Sequence, residues 1–146
     1  TFEFVAKVNS FSGMFIGFQT YDVYTPSGTL GYNTGNSDVY GMSASQTSSL
    51  GLVGNWAHYV FVMGSSSYTN NQIWINGVQQ SLAQQLSSES GSTHTFNGGA
   101  GRLSGWKNDT GYRLNASYGM FRAYNRALSS SEIALNFAGA RTKWGF

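Results

Sequence analysis

The chain has no cysteine and few charged residues. None of its 146 residues is Cys, and only 10% are Asp, Glu, Lys or Arg. Without cysteine there is no disulfide framework, no thiolate metal site and no thiol nucleophile. The low charge leaves solubility to Ser, Thr, Asn and Gln. Such a surface is typical of extracellular or virion proteins, so we expect an extracellular or virion-surface location.

Long hydrophobic runs are also missing. No apolar segment reaches the roughly 20 residues that a membrane-spanning helix needs, so membrane insertion is not expected. The chain begins without Met, inside a strand-like alternation of Phe2, Phe4, Ala6 and Val8 with other residues. We therefore expect one domain, residues 1–146, excised from a longer protein.

Glycine and aromatic residues are abundant. The chain has 19 Gly, nine Tyr, ten Phe and four Trp, but one Pro. Strands bounded by Gly, Ser and Asn turns account for this mixture, which predicts an all-β domain. A length of 146 residues is enough to bury a substantial core.

The C-terminal segment YGMFRAYNRALSSSEIALNF has the clearest local pattern. Gly119–Tyr124 alternates with a period of two, which predicts a strand. Ser129 stands three residues before Glu132 in a capping box, which predicts the start of a helix. Gly139 suits the end of that helix. We therefore predict one short helix within about 128–139.

The Asn76-Gly77 pair between apolar runs predicts a β-hairpin with a type I′ turn, which needs positive φ at both positions. Strands are predicted near 1–8, 13–20, 29–33, 38–44, 56–63, 72–76, 78–81, 101–105 and 112–124. Tyr21–Pro26 is predicted as a turn-rich link, and Ser43–Ser49 and Ser87–Ser92 as polar loops.

Three segments together resemble a known family: MFRAYNRALS with the following EI (residues 120–133), NWAHYVFV (55–62) and QIWINGV (72–78). They are similar to strands of laminin-G-like jelly-roll domains in the concanavalin A-like lectin/glucanase superfamily. The resemblance implies a two-sheet antiparallel sandwich with one short C-terminal helix, and a structural role for His58. The tail resembles the form such domains take in phage and marine-virus proteins, so a viral or bacterial surface protein is expected.

Catalysis is the first function to weigh, because many concanavalin A-like folds hydrolyse glycans with two carboxylates flanking the scissile bond. No two of the six acidic residues lie within ten residues of each other, and the Glu-x-Asp-x-(x)-Glu signature is absent. His58 and His94 are the only imidazoles, His94 lies in a Ser/Thr loop without a nearby acid, and the Gly-x-Ser-x-Gly elbow of serine hydrolases is absent. We expect a non-catalytic module. A glycoside hydrolase-like enzyme with carboxylates from different strands stays open.

Aromatic residues in predicted loops define the candidate binding site. Neutral glycans pack on aromatic rings and bond to Asn, Asp, Gln and Arg side chains. The densest such set predicts a site for a glycan or cell-surface polysaccharide and consists of Trp106, Asn108, Asp109, Tyr112 and Arg113. Further aromatic residues predicted in loops are Tyr21, Tyr24, Tyr32 and Tyr40. Trp56, Trp74 and Phe61 are assigned to the core or a sheet face.

Calcium is the one cofactor that the resemblance implies, held at a sandwich rim by Asp side chains and carbonyl oxygens. Asp109, beside Asn108, is the best candidate ligand, and Asp22 and Asp38 are weaker ones. No single loop supplies several acids, so any such site would rely on carbonyl oxygens.

The net charge of +2 is unevenly spread. Residues 1–99 hold one base and four acids, and residues 100–146 hold seven bases and two acids. The bases are interspersed with apolar residues rather than clustered, so no nucleic-acid partner is expected. A structural module that packs in a homo-oligomer or against neighbouring domains of a longer chain stays open as the alternative to a glycan-binding one.

Overall fold

The computed structural model describes residues 1–63, 67–88, 100–107 and 110–146, which form two packed antiparallel β-sheets. The strands are β1 (Phe2–Ser10), β2 (Met14–Gly17), β3 (Asp22–Tyr24), β4 (Leu30–Asn33), β5 (Val39–Met42), β6 (Trp56–Val62), β7 (Gln72–Ile75), β8 (Val78–Gln79), β9 (Ala83–Leu86), β10 (Arg102–Leu103) and β11 (Asn115–Ala123). The first sheet has the order β11-β1-β6-β7-β8, and the second has the order β10-β2-β3-β4-β5-β9. The predicted two-sheet sandwich is confirmed.

The core lies between the sheets because alternate residues of each strand point inward. Phe4, Tyr59 and Phe61 of the first sheet surround Phe15 of the second. Their ring centroids lie 5.4, 4.9 and 5.2 Å from that of Phe15. Aromatic pairs at such distances contribute about 0.5–1.5 kcal/mol each beyond their burial. This cluster fixes the two sheets to one another.

A C-terminal helix, α2 (Ser130–Trp144), covers the outer face of the first sheet. Val60 and Val62 of β6 form a second buried cluster with Leu128 and Ile133. Both faces of β6 are therefore buried, which explains its nearly continuous apolar sequence. In the described part of the chain, no helix is long and apolar enough to span a membrane.

The capping box that begins α2 is confirmed. The Ser129 Oγ accepts from the Glu132 amide, and the Glu132 carboxylate accepts from the Ser129 amide at 2.9 Å. The predicted end at Gly139 is wrong, because α2 continues to Trp144 and ends at Gly145, which has a φ of 74°.

The helix passes through Gly139 because that position is exposed and a Cβ there would meet nothing within 4 Å. An exposed helical glycine costs only about 1 kcal/mol relative to alanine. Packing in the last turns offsets this cost, since the Trp144 ring lies 5.3 Å from the Trp56 ring. Gly119 of β11 leaves room for the same indole, which a Cβ would meet at 2.5 Å.

A second helix, α1 (Ala44–Ser49), stands where a polar loop was predicted. Ser43 and Gln46 form the same kind of capping box as the one that begins α2. The Thr47 hydroxyl donates to the Gly28 carbonyl oxygen at 2.6 Å and ties α1 to the sandwich. The prediction of a turn-rich link at Tyr21–Pro26 is also wrong in part, because this stretch contains β3.

The predicted hairpin is confirmed by positive φ values of 50° at Asn76 and 76° at Gly77. A Cβ at Gly77 would lie 2.8 Å from the Cδ1 atom of Phe137 in α2. The turn therefore needs glycine both for its backbone conformation and for the close approach of the helix.

Candidate functional site

The predicted site lies in the loop between β10 and β11, which runs along the edge of β2. The Ser104 amide donates to the Phe15 carbonyl oxygen at 2.9 Å, and the Met14 amide donates to the Tyr112 carbonyl oxygen at 2.9 Å. Gly17 permits the close approach, since a Cβ there would lie 2.6 Å from the Cα atom of Trp106. The described residues of this loop are thus bound to the scaffold at both Ser104 and Tyr112.

Three aromatic side chains form a continuous series across this region, which we call the aromatic row: Trp106, Tyr112 and Tyr24. The ring centroids of Trp106 and Tyr112 are 6.1 Å apart at an interplanar angle of 79°. Those of Tyr112 and Tyr24 are 5.8 Å apart at 78°. Tyr112 is 46% exposed, whereas Trp106 and Tyr24 are partly buried. Burial raises the pKa of Tyr24, and its electrostatic interaction with Tyr112 also raises that pKa.

Basic side chains lie beside the aromatic row. The Lys107 Nζ atom is 4.9 Å from the Trp106 ring centroid, a cation–π distance, and donates to the Gln19 Oε1 atom at 2.5 Å. The exposed Arg113 guanidinium donates to the Thr110 and Ser104 carbonyl oxygens at 3.3 and 3.4 Å. The arrangement offers apolar ring surface together with charged hydrogen-bond donors.

Of the five predicted site residues, the structure brings together Trp106, Tyr112 and Arg113. Asn108 and Asp109 lie outside the described residues. Sequence reasoning missed Lys107 and Gln19 as neighbours of the indole. The position of Lys107 next to Trp106 in the chain was an available signal, whereas nothing local pointed to Gln19.

Two other tyrosines predicted in loops are core residues. Tyr21 and Tyr32 are 1% and 0% exposed, and their ring centroids are 6.1 Å apart within the main core. Tyr40 is partly buried, with its ring 4.8 Å from that of Tyr68. These positions correct the prediction, because they leave Tyr21 and Tyr32 no surface for a ligand.

The weaker calcium candidates, Asp22 and Asp38, are buried and bonded within the protein. Asp22 accepts from the Phe18 amide at 2.6 Å and from the Asn33 Nδ2 atom at 3.0 Å. Asp38 accepts from the Thr34 amide at 2.8 Å and from the Thr34 hydroxyl at 3.0 Å. Burial raises the pKa of Asp22 to about 6, against the effect of its two hydrogen bonds and together with the charge of Asp38.

Asp22 and Asp38 are 1% and 0% exposed, and each of their four carboxylate oxygens accepts a hydrogen bond from the protein, so both carboxylates serve as internal acceptors. The described residues contain no group of three or more His, Cys, Asp and Glu side chains that could hold a metal ion. Asp109, the best candidate, lies outside them, and calcium binding there stays a prediction.

Glu3 and His58 form a buried pair beneath α2, and both side chains are fully buried. The His58 Nε2 atom lies 2.8 Å from Glu3 Oε1, while the Tyr124 hydroxyl and the Asn136 Nδ2 atom donate to Glu3 Oε2 at 2.7 and 3.1 Å. Burial raises the pKa of Glu3, but the hydrogen bonds from His58 and Tyr124 and nearby positive charge outweigh it, so the pKa lies below its ordinary value. Through Asn136, Glu3 connects α2 to the sheet.

The four described acids do not form a pair of carboxylates in an open groove. Glu3, Asp22 and Asp38 are buried, and Glu132 is bound by Arg126 at 2.6 Å. The remaining acids, like His94, lie outside the described residues. The described residues therefore give no geometry for the glycosidase alternative.

A separate cleft of about 510 Å³ lies at one end of the sandwich, between the end of β1 and α1. No prediction from the sequence pointed to it. The capping box of Ser43 and Gln46 could have located α1 and thus one of its walls.

In a comparison with protein families, residues 4–134 match the family described as the concanavalin A-like lectin/glucanases superfamily. No curated protein and no solved structure matches the chain. The matched segment includes the aromatic row and His58, the buried partner of Glu3. It ends within α2.

Proposed function

The chain belongs to the concanavalin A-like lectin/glucanases superfamily, and on that premise we propose that it is a non-catalytic module that binds a neutral glycan on the aromatic row. Family membership supports a carbohydrate-binding or adhesion-type module. The glycan as ligand, the row as its site, and a viral or bacterial surface as its location are the finer parts of the proposal.

The observation that carries the proposal is the series of aromatic rings beside hydrogen-bond donors. Sugar rings present C–H groups on their faces and hydroxyls at their edges, so they suit an apolar ring surface bordered by polar groups. Tyr112 supplies exposed ring surface, and Lys107 and Arg113 supply donors for hydroxyl groups. Trp106 extends this aromatic surface on the side of Tyr112 opposite to Tyr24.

The backbone at Tyr112 gives independent support. Its φ of 57° lies in the left-handed region, where a bulky non-glycine residue is an outlier. Such a conformation costs about 1–3 kcal/mol and occurs most often at functional sites. A tyrosine at a position whose backbone favours glycine or asparagine supports a role for the ring itself.

A glycan array of neutral oligosaccharides tests the proposal with wild type and Tyr112→Asn. Asparagine tolerates the left-handed region, so we expect unchanged or higher thermal stability together with loss of glycan binding. Phe121→Ala is the control, because Phe121 is 38% exposed on the other sheet and packs on Phe4 at 5.0 Å. This control should lose stability and keep binding. An array with no bound glycan, or Tyr112→Asn binding as wild type does, would contradict the proposal.

A structural or oligomerising module is the second candidate. Leu135 of α2 and Val78 of the neighbouring hairpin are 74% and 62% exposed and offer apolar side chains to a partner surface. Sedimentation of wild type and Leu135→Ser distinguishes the two functions. An oligomer that Leu135→Ser dissociates, without glycan binding, would favour this candidate.

A further inference from the structure

The end cleft is bounded by α1, the turn after β1 and the loop that leads into β6. Its volume of about 510 Å³ falls within the range of small-molecule sites. Phe11 and Leu52 line it and are only 5% and 2% exposed, so their apolar surface belongs to the core and forms a fixed base. The cleft does not include any residue of the aromatic row.

Among the described residues, the polar groups that line the cleft are uncharged. They include the amide side chains of Asn9 and Asn55 and the hydroxyls of Ser10, Ser27 and Ser48, and no described acidic or basic side chain lines it. A charged ligand would find no partner of opposite sign among these residues. A neutral ligand that carries hydroxyl groups around an apolar face would find both donors and acceptors.

The walls of the cleft are fixed by hydrogen bonds before any ligand arrives. The Thr47 hydroxyl donates to the Gly28 carbonyl oxygen at 2.6 Å, and the Gly28 amide donates to the Phe11 carbonyl oxygen at 3.1 Å. On the other side, the Gly54 amide donates to the Val8 carbonyl oxygen at 2.8 Å. A preformed site avoids the entropic cost of ordering loops on binding.

Two residues that line the cleft have left-handed backbone. Gly51, at an exposed position, has a φ of 61°. Ser27 has a φ of 53°, a left-handed conformation that is costly for a residue other than glycine. Strained backbone at the rim of a preformed cavity is a feature of ligand sites.

We infer that the end cleft is a second saccharide-binding site, which takes one or two neutral sugar units and acts independently of the aromatic row. The module would then have two glycan contacts on one rigid sandwich. Binding of a polymer at both contacts would raise its apparent affinity above that of either one.

The test is an NMR titration of the full chain with neutral oligosaccharides built from gluco, galacto, manno and N-acetylhexosamine units. We expect at least one probe to shift the backbone amides of Ser48, Gly51 and Asn55, in wild type and equally in Trp106→Ala. Ser48→Trp places an indole from an exposed helix position into the cleft and should weaken this binding by about tenfold or more. Ser49→Trp, on the same helix but outside the cleft, should bind as wild type.

Asn9→Ala gives a second comparison that does not depend on the indole. Asn9 donates to Asn115 Oδ1 at 3.1 Å, and Asn115 does not line the cleft. Asn115→Ala removes the same hydrogen bond and is therefore the matched control. Asn9→Ala should weaken binding, and Asn115→Ala should not.

The second site is overturned if no probe shifts the cleft amides, or if Ser48→Trp and Asn9→Ala bind as wild type does. It is also overturned if Trp106→Ala removes the cleft shifts, because the two contacts would then not be independent. A different result would contradict the proposed function of the aromatic row alone. In that result, Trp106→Ala leaves all glycan binding unchanged, whereas the cleft variants remove it.

Discussion

Replacing Glu3 should weaken the docking of α2 on the sheet and destabilise the domain. In Glu3→Ala, the His58 Nε2 atom, the Tyr124 hydroxyl and the Asn136 amide lose their shared acceptor in a fully buried site. A hydrogen bond to a charged group contributes about 1.5–3 kcal/mol, and the three bonds are not additive. A buried donor left without its partner costs about 1–3 kcal/mol, so with three such donors we expect a loss of about 3 kcal/mol or more.

The assay is guanidinium-induced unfolding followed by circular dichroism, with Glu3→Gln beside Glu3→Ala. Gln keeps the shape and one acceptor, so its loss should be smaller. Lys7→Ala is the control from the same strand and face, at a partly exposed position. A loss below about 1 kcal/mol for Glu3→Ala would refute the reasoning, because it would mean that the buried donors find other partners.

The same site predicts a pH dependence. Because the folded-state pKa of Glu3 lies below its ordinary value, its stabilising contribution is present above that ordinary value and is lost as pH falls through the folded pKa. Wild type should therefore lose stability more steeply than Glu3→Gln below about pH 4. Parallel stability curves for the two proteins in acid would show that the carboxylate is not preferentially ionised in the fold.

Three further substitutions have defined outcomes. Ser129→Ala should cost about 1 kcal/mol, because it removes the N-cap of α2, and an unchanged denaturant midpoint would mean that Ser129 is not the cap. Gly77→Val should cost more than about 1 kcal/mol, since φ is 76° and Phe137 lies 2.8 Å from the new Cβ, and a midpoint within error of wild type would contradict this. The pKa of Asp22 is raised to about 6, so the stability that its protonated carboxyl contributes is complete below its ordinary pKa and is lost as pH rises through about 6. The stability of wild type relative to Asp22→Asn should therefore increase as pH falls from about 7 to about 4. A difference in melting temperature that does not change with pH would contradict the raised pKa.

Local signals made much of the fold predictable. The capping box of Ser129 and Glu132 and the turn at Asn76 and Gly77 each depend on residues no more than three positions apart. The start of α2 and the β7–β8 hairpin could therefore be predicted from the sequence. The end of α2 could not, because packing of Trp144 on the distant β6 outweighs the local stop signal at Gly139.

Buried polar contacts between distant residues could not be predicted in the same way. Glu3 meets His58 and Asn136 across sequence separations of 55 and 133 residues, and only the strand order and the docking of α2 bring them together. The candidate site contains both a contact between residues close in the chain and one between distant residues. Trp106 and Tyr112 are close in the chain and were predicted together, whereas Tyr24 joins them only through the neighbouring strands β2 and β3.

The most direct test of glycan binding on the aromatic row compares Trp106→Ala with Trp74→Ala. Affinity is measured by calorimetric titration with a glycan that binds wild type on the array, and stability is measured by thermal unfolding. Both indoles are partly buried, but Trp74 packs on the cluster beneath α2. Trp106→Ala should weaken glycan binding by more than about tenfold and lower stability far less than the roughly 3–5 kcal/mol of a core truncation. Trp74→Ala should show the opposite pattern, with lower stability and unchanged affinity. Unchanged affinity in Trp106→Ala, or a stability loss of core size, would contradict the proposed site.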